Sequence, residues 1–149
     1  LVIVRASKIL TNYFMPFMAA LCAQGVKMIS HIDHVVLTVS DIESSVEFYR
    51  RVLLMEEITF AKGRKALKFG NQKINLQTLG QEPRNEAQVG SGGLCLITSW
   101  NLKDVVVHLE NENVEIVEGP VAKSGAVGQI ESVYFLDPDN NLVEISVYN

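Results

Sequence analysis

The chain has 149 residues, a net charge of −4, 48% hydrophobic and 20% charged residues, which is the composition of a globular protein and argues against a disordered chain or a fibre. Its length suits one domain or two small fused modules. The basic residues form no run and do not interleave with aromatics, which argues against nucleic acid as a partner, and Cys22 and Cys95 are too few and too distant for a disulfide framework, so a reducing, cytoplasmic setting is expected.

Residues 1–27 differ from the rest. They carry Arg5, Lys8 and Lys27, no acidic residue precedes Asp33, and an apolar patch runs from Tyr13 to Leu21. A basic start followed by a short apolar stretch is the layout of a targeting segment, yet the patch is too short to span a bilayer, Pro16 interrupts it and no A-x-A site follows. Domain-like patterning begins after Met28. Residues 1–27 are therefore read as an N-terminal extension, either a leader or an over-extended start, and residues 28–149 as the domain, with no membrane span.

In chain order, a first strand is expected from Ile32 to Val39. Ser40-Asp41-Ile42-Glu43 reads as a capping box, with Ser40 as the cap, and Ile42, Val46, Tyr49 and Leu53 mark one face of an amphipathic helix. Strands follow near Glu56 to Ala61, Lys65 to Phe69 and Lys73 to Leu79. A polar connector from Gly80 to Gly92 separates this module from a second with the same order. There, Gly93 to Thr98 is a strand, Asn101 caps a helix carrying Leu102, Val105, Val106 and Leu109, and Val114 to Val117 is a strand. A glycine-bearing loop from Gly119 to Gly128 precedes a final hairpin, Ser132 to Leu136 and Leu142 to Tyr148, turned by Asp137-Pro138-Asp139-Asn140-Asn141. The repetition reads as an internal duplication, with modules at about residues 29–79 and 93–149.

One residue stands out in the last strand. Period-two alternation sends Val143, Ile145 and Val147 to one side, so Glu144 shares the other with Leu142 and Ser146, mid-strand and away from any loop. In the first strand His34 shares a face with Val36 and Thr38. A lone strand histidine is more often half-buried than a ligand, and a strand glutamate usually faces water. If the two strands line one concave sheet, however, an imidazole and a carboxylate converge, which is how a divalent metal is held. His31, at a strand entrance, and His108, on a helix, read as surface or core-edge residues.

His34-Val35-Val36-Leu37-Thr38-Val39-Ser40-Asp41, the Phe48-Tyr49 pair and Asp137-Pro138-Asp139-Asn140-Asn141-Leu142-Val143-Glu144-Ile145 together resemble the vicinal oxygen chelate superfamily, which includes glyoxalase I, extradiol dioxygenases, fosfomycin-resistance proteins and bleomycin-binding proteins. Within it, Arg64 to Gly70, Lys73 to Leu76 and Glu118 to Val121 most resemble small lactoylglutathione-lyase-like, virulence-associated glyoxalase-domain proteins. The resemblance implies an α+β fold in which two tandem βαβββ modules form a cup-shaped mixed sheet, and a homodimer. It further implies metal ligands from the first and last strands of each module. On this chain those are His34 and Glu144, with Asn75, the internal counterpart of Glu144, and Gln77, one pleat on, as weak amide ligands. The second module begins with Gly93 and Leu94, which cannot coordinate through a side chain.

The implied cofactor is a divalent metal, one of Zn, Ni, Mn, Mg or Fe. An amide oxygen is a neutral, hard donor, suited to Mg²⁺ or Mn²⁺ and a poor replacement for imidazole at Zn²⁺ or Ni²⁺. The leading expectation is a metal-dependent lyase or isomerase acting on a small oxygen-chelating substrate through an enediolate, with Glu144 as ligand and catalytic base and Arg64 and Lys123 as contacts to a substrate carboxylate. A metal-poor binding protein of the bleomycin-resistance type is the competing expectation. An extradiol dioxygenase ranks below both, because two histidines and a carboxylate are wanted there.

Overall fold

The computed structural model describes residues 28–149, and the N-terminal extension, residues 1–27, lies outside the described residues. Residues 33–149 form a compact unit. Its elements are β1 (His34–Thr38), α1 (Ile42–Leu53), β2 (Glu56–Phe60), β3 (Arg64–Phe69), β4 (Gln72–Gln77), β5 (Gly93–Ile97), α2 (Leu102–Asn111), β6 (Ile116–Ser124), β7 (Gln129–Leu136) and β8 (Leu142–Tyr148). This is βαβββ twice over. Among the described residues no helix is long and apolar enough to cross a membrane.

Each module makes a four-stranded mixed sheet, in the orders β1-β4-β3-β2 and β5-β8-β7-β6. The first strand of each runs parallel to the last, and the other pairings are antiparallel. A crossover helix is what a parallel pair within a module requires. Alternation then puts Leu37, Leu67, Ile74 and Leu76 against Val46 and Tyr49 of α1 in one cluster, and Val133, Phe135, Val143 and Ile145 against Leu102, Val105 and Leu109 of α2 in the other. Phe48, Leu53 and Leu96 pack against both clusters, so the two modules share one apolar interior.

Two local expectations are corrected. Helix α1 is capped by Asp41, whose Oδ1 accepts from Ser44 N at 2.7 Å, and not by Ser40. The Ser40 hydroxyl donates instead to Asp139 of the second module, and its backbone N–H reaches the same carboxylate at 3.1 Å. A tertiary partner outcompetes the local cap. Of the glycine-bearing stretch from Gly119 to Gly128 expected as loop, the part from Gly119 to Ser124, with its Gly-Pro pair, belongs to β6. The strand tolerates them because it lies at the sheet edge and its register with β7 shifts between Glu118 and Val121, a bulge that absorbs residues unable to continue a ladder. Asn101 caps α2 as expected, accepting from Lys103 N.

The Asp137–Asn141 turn does more than reverse the chain. Asp137 Oδ1 accepts from the backbone of Asp139 and Asn141, while Oδ2 accepts from Asn141 Nδ2 and from the Tyr49 hydroxyl at 2.9 Å. Asn141 Oδ1 takes Gly92 N at 2.6 Å. A Cβ at Gly92 would stand 2.7 Å from both Leu37 Cδ2 and Asn141 Oδ1, so glycine is required where the connector enters β5.

Tyr49 is fully buried, and burial first, then the negative charge of Asp137, pushes its phenol well above the ordinary tyrosine value. A raised folded-state value means that the stabilisation is complete below the unfolded value of about 10 and is lost as pH rises beyond it. Tyr49→Phe is expected to lower stability at neutral pH by about 1.5–3 kcal/mol, the worth of a hydrogen bond to a charged group, as measured by urea unfolding. The variant should also lose less stability than the parent between pH 9 and 11. Equal alkaline slopes would mean that Tyr49 is not the group responsible.

Candidate functional site

The second sheet presents an acidic site on the face turned away from α2. Because Leu94, Leu96, Val133, Val143 and Ile145 point into the core, Cys95, Ser132, Tyr134, Glu144 and Ser146 stand on the opposite face. Glu144 lies directly across from Cys95 on β5 and from Tyr134 on β7. Its Oε1 accepts from Ser132 Oγ at 2.6 Å and from Ser146 Oγ at 3.2 Å. Ser132 has one hydroxyl hydrogen, which the carboxylate takes, so at the 2.8 Å contact between the two serines Ser146 is the donor and shares its hydrogen with Glu144.

Burial works to raise the Glu144 carboxyl, but donation from Ser132, Tyr134, Cys95 and Ser146 outweighs it and holds the group below its ordinary value. Tyr134 responds oppositely: burial, then its bond to Glu144, pushes the phenol up to about 12. Cys95 is raised by burial first, which leaves it a thiol rather than a nucleophilic thiolate at neutral pH. Among the described residues, Glu144 has no lysine, arginine or histidine ion-pair partner. Lys123 stands at the rim, paired with Glu118 at 2.9 Å and 5.2 Å from the centre of the Tyr134 ring.

The first sheet carries the remaining predicted residues. His34 opens β1, with its side chain 43% exposed and Nδ1 2.6 Å from Asp33 Oδ1. A carboxylate can only accept, so that nitrogen bears hydrogen and a neutral ring keeps its Nε2 lone pair for a metal or an acid. Asn75 and Gln77 share the face of Thr38, as the bond from Gln77 Nε2 to Thr38 Oγ at 3.0 Å confirms. Both amides are buried, and Asn75 Oδ1 and Gln77 Oε1 have no hydrogen-bond partner. Arg64 Nε is a buried, unpartnered donor, with the guanidinium 5.4 Å from the Phe60 ring centre.

His34, Asn75, Gln77 and Arg64 thus belong to one sheet, and Glu144 and Lys123 to the other. Among the described residues no three His, Cys, Asp or Glu side chains group closely enough to hold a metal ion. A cavity of about 220 Å³ lies on the helix side, lined by Met55, Phe69, Leu96, Trp100 and His108 among others, and contains none of the predicted site residues. His108 donates from Nε2 to the Val52 carbonyl at 2.9 Å, the core-edge role expected of it.

Sequence reading set Ser146 on the face of Glu144 but missed Cys95, Ser132 and Tyr134 around it. The duplication that matches Asn75 to Glu144 extends to the first strands, where it matches Val36 to Cys95 and His34 to Gly93, and that extension would have found the thiol. Ser132 and Tyr134 were concealed as ordinary strand residues.

A depressed folded-state value means that the stability Glu144 confers is present above its unfolded value and is lost as pH falls through the folded one. Ser132→Ala, which removes the shorter serine donation, should shift the Glu144 midpoint upward when the side-chain carboxyl ¹³C resonance is followed against pH. A midpoint that does not move would show that Ser132 is not what keeps the carboxylate ionised.

The profile of the Glyoxalase/Bleomycin resistance protein/Dioxygenase superfamily matches residues 31–145. The virulence protein STM3117 of Salmonella typhimurium is 50% identical over 81% of this chain and 86% of its own. Its crystal structure superposes with a TM-score of 0.79, at 48% identity, covering 83% of this chain and 100% of that one. The glyoxalase domain-containing protein RDO1 of Mycosarcoma maydis is 46% identical over 78% of this chain and 68% of its own. The metallothiol transferase FosB of Staphylococcus saprophyticus is 29% identical over 79% and 77%.

Proposed function

Because the chain belongs to the Glyoxalase/Bleomycin resistance protein/Dioxygenase superfamily, we propose that it is a metal-dependent lyase or isomerase acting on a small substrate with two neighbouring oxygens. The observation that carries this reading is Glu144, a mid-strand carboxylate kept ionised by hydroxyl donors with no cationic partner among the described residues. Its surroundings already favour the ionised form, so at neutral pH the carboxylate stands ready to receive a cation or an acidic hydrogen.

The donors suit a divalent ion. Glu144 offers a carboxylate, His34 an Nε2 lone pair with Asp33 behind the ring, and Asn75 and Gln77 offer unpartnered neutral oxygens. A bound ion would draw charge from the two neighbouring substrate oxygens. Ser132 and Ser146 fix Oε1, and the carboxylate would take a proton from a carbon that bears one of those oxygens, leaving the C–H electron pair in the enediolate. Tyr134, protonated up to about pH 12, can donate but does not compete for that proton.

His34 and Glu144 stand on separate sheets, and the described residues hold no complete cluster. In this reading a second copy of the chain brings the His34 face of one subunit to the Glu144 face of the other, in a homodimer. A second reading, sequestration of a small molecule without metal, draws on the orphaned amides, which equally suit a ligand bearing hydrogen-bond donors. A ring-cleaving dioxygenase is not favoured, since His34 and Glu144 supply one imidazole and one carboxylate where that chemistry wants two and one.

The test is thermal unfolding of the chelator-stripped full chain with added Mn²⁺ or Zn²⁺. Metal at a hundredfold excess over its dissociation constant should stabilise the parent by about 2.7 kcal/mol. His34→Ala and Glu144→Gln should each abolish that gain. Co-refolding the two variants should restore part of it, because a mixed dimer contains one site with both native ligands. Metal stabilisation of the parent without recovery in the mixture would place the site within one chain. No stabilisation of the parent would favour sequestration.

A further inference from the structure

The first sheet turns a face away from α1 that is chemically unlike the Glu144 face. By register it carries Lys73, Asn75 and Gln77 of β4, Arg64, Ala66 and Lys68 of β3, and Phe60 of β2. Lys73 Nζ lies 4.1 Å from the centre of the Phe60 ring, and the Arg64 guanidinium shares that ring. Neither Lys73 nor Arg64 has a carboxylate partner among the described residues. Glu82, which feels the charge of Arg64, is already paired with Arg84 Nε at 2.7 Å, and Glu56 is 3.9 Å from Lys68.

Along the same strand stand the two buried acceptors that nothing satisfies, Asn75 at 5% and Gln77 at 1% exposure. Same-face residues on a strand are about 6.7 Å apart, so the Lys73, Asn75 and Gln77 positions span about 13 Å of β4, while the Lys73 ammonium itself reaches across to Phe60. The charges this face carries at Phe60 are cationic, Lys73 and Arg64, with Lys68 on the same face of β3, so a metal ion at Asn75 would meet charge of its own sign. An acceptor beside a cation is better answered by a donor hydrogen on a molecule whose negative charge the cation holds. Ala66, directly across from Asn75, contributes only a methyl group beside the amide.

We propose that this face recognises a small anion that carries hydroxyl or amino hydrogens, its charge held by Lys73 and Arg64 at Phe60 and its hydrogens donated to Asn75 Oδ1 and Gln77 Oε1. This assignment names the substrate class of the site described above, and rests on that reading only in placing the first sheet on the substrate side. It reassigns Asn75 and Gln77 from metal ligands to substrate acceptors.

The experiment uses the full chain with chelator present, so metal uptake does not enter. D-glycerate and glycerol 3-phosphate are the probes, with propionate as an anion lacking donors and glycerol as a donor lacking charge. Both probes should shift the Asn75 and Gln77 side-chain amide resonances in ¹H–¹⁵N spectra, and the tighter one identifies the headgroup as carboxylate or phosphate. Propionate and glycerol should bind at least about tenfold more weakly, the loss expected when a site built around a charge or a hydrogen bond meets a ligand lacking it. Lys73→Met, which keeps an apolar stem over Phe60, should weaken both probes about tenfold or more. Asn75→Leu removes an unsatisfied acceptor and should raise the melting temperature of the free protein while abolishing the preference for glycerate over propionate. The proposal is overturned if neither probe shifts those amides, if Lys73→Met binds them unchanged, or if binding appears only on adding metal. The last outcome would leave the metal reading standing.

Discussion

The Asp137 carboxylate is the interaction on which the rest of the structure depends. It is buried, lacks a cation, and is solvated by four donors: two backbone N–H groups of its own turn, the Asn141 amide and the Tyr49 hydroxyl from the other module. A buried charge is tolerable only when satisfied in this way. The bond to Tyr49 fixes α1 against the β7–β8 turn. Asp139 holds the end of β1 through Ser40, and Asn141 holds the start of β5 through Gly92. One turn of five residues thereby sets both first strands and the last strand, the three that carry His34, Cys95 and Glu144.

Asp137 and Glu144 make an instructive pair, because both are carboxylates without a cation and their surroundings assign them different work. Asp137 is turned inward between two modules, and both its oxygens are engaged. Glu144 is turned to the face opposite the core and keeps an intermediate exposure, with the serine hydroxyls directed at a single oxygen. The first arrangement has nothing left to bind. The second is held ionised and accessible, as a ligand or a base requires.

Much of this was legible in the sequence. Period-two alternation in Val35, Leu37 and Val39, and in Val143, Ile145 and Val147, set the inward faces, and the repeated order of elements set the duplication. What was not legible depended on contacts between distant segments. Ser40 had the local credentials of a helix cap, but its hydroxyl is claimed by Asp139, ninety-nine residues later, and Asp41 serves instead. Gly119 and Pro120 are loop residues by propensity, and only the edge position of β6 with its bulge makes them strand. Cys95 was passed over because nothing local marks it, and its meaning comes from the parallel pairing that sets it across from Glu144.

The duplication also shows why two similar sheets are not redundant. At equivalent register positions the first module has His34, Val36, Asn75 and Gln77 where the second has Gly93, Cys95, Glu144 and Ser146. The polar identities differ at every step, and the charges differ in sign: lysines and an arginine surround the amides, while hydroxyls surround the acid. Had both sheets kept the carboxylate, two anions would compete for one cation. Had both kept the amides and lysines, no carboxylate would be left on either face to accept a proton. Dividing the chemistry between the modules leaves unpartnered amide oxygens beside cationic side chains on the first sheet and a carboxylate without a cation among the described residues on the second. A small molecule with negative charge at one end and an acidic hydrogen near two oxygens at the other would complement both halves at once, which neither sheet could do alone.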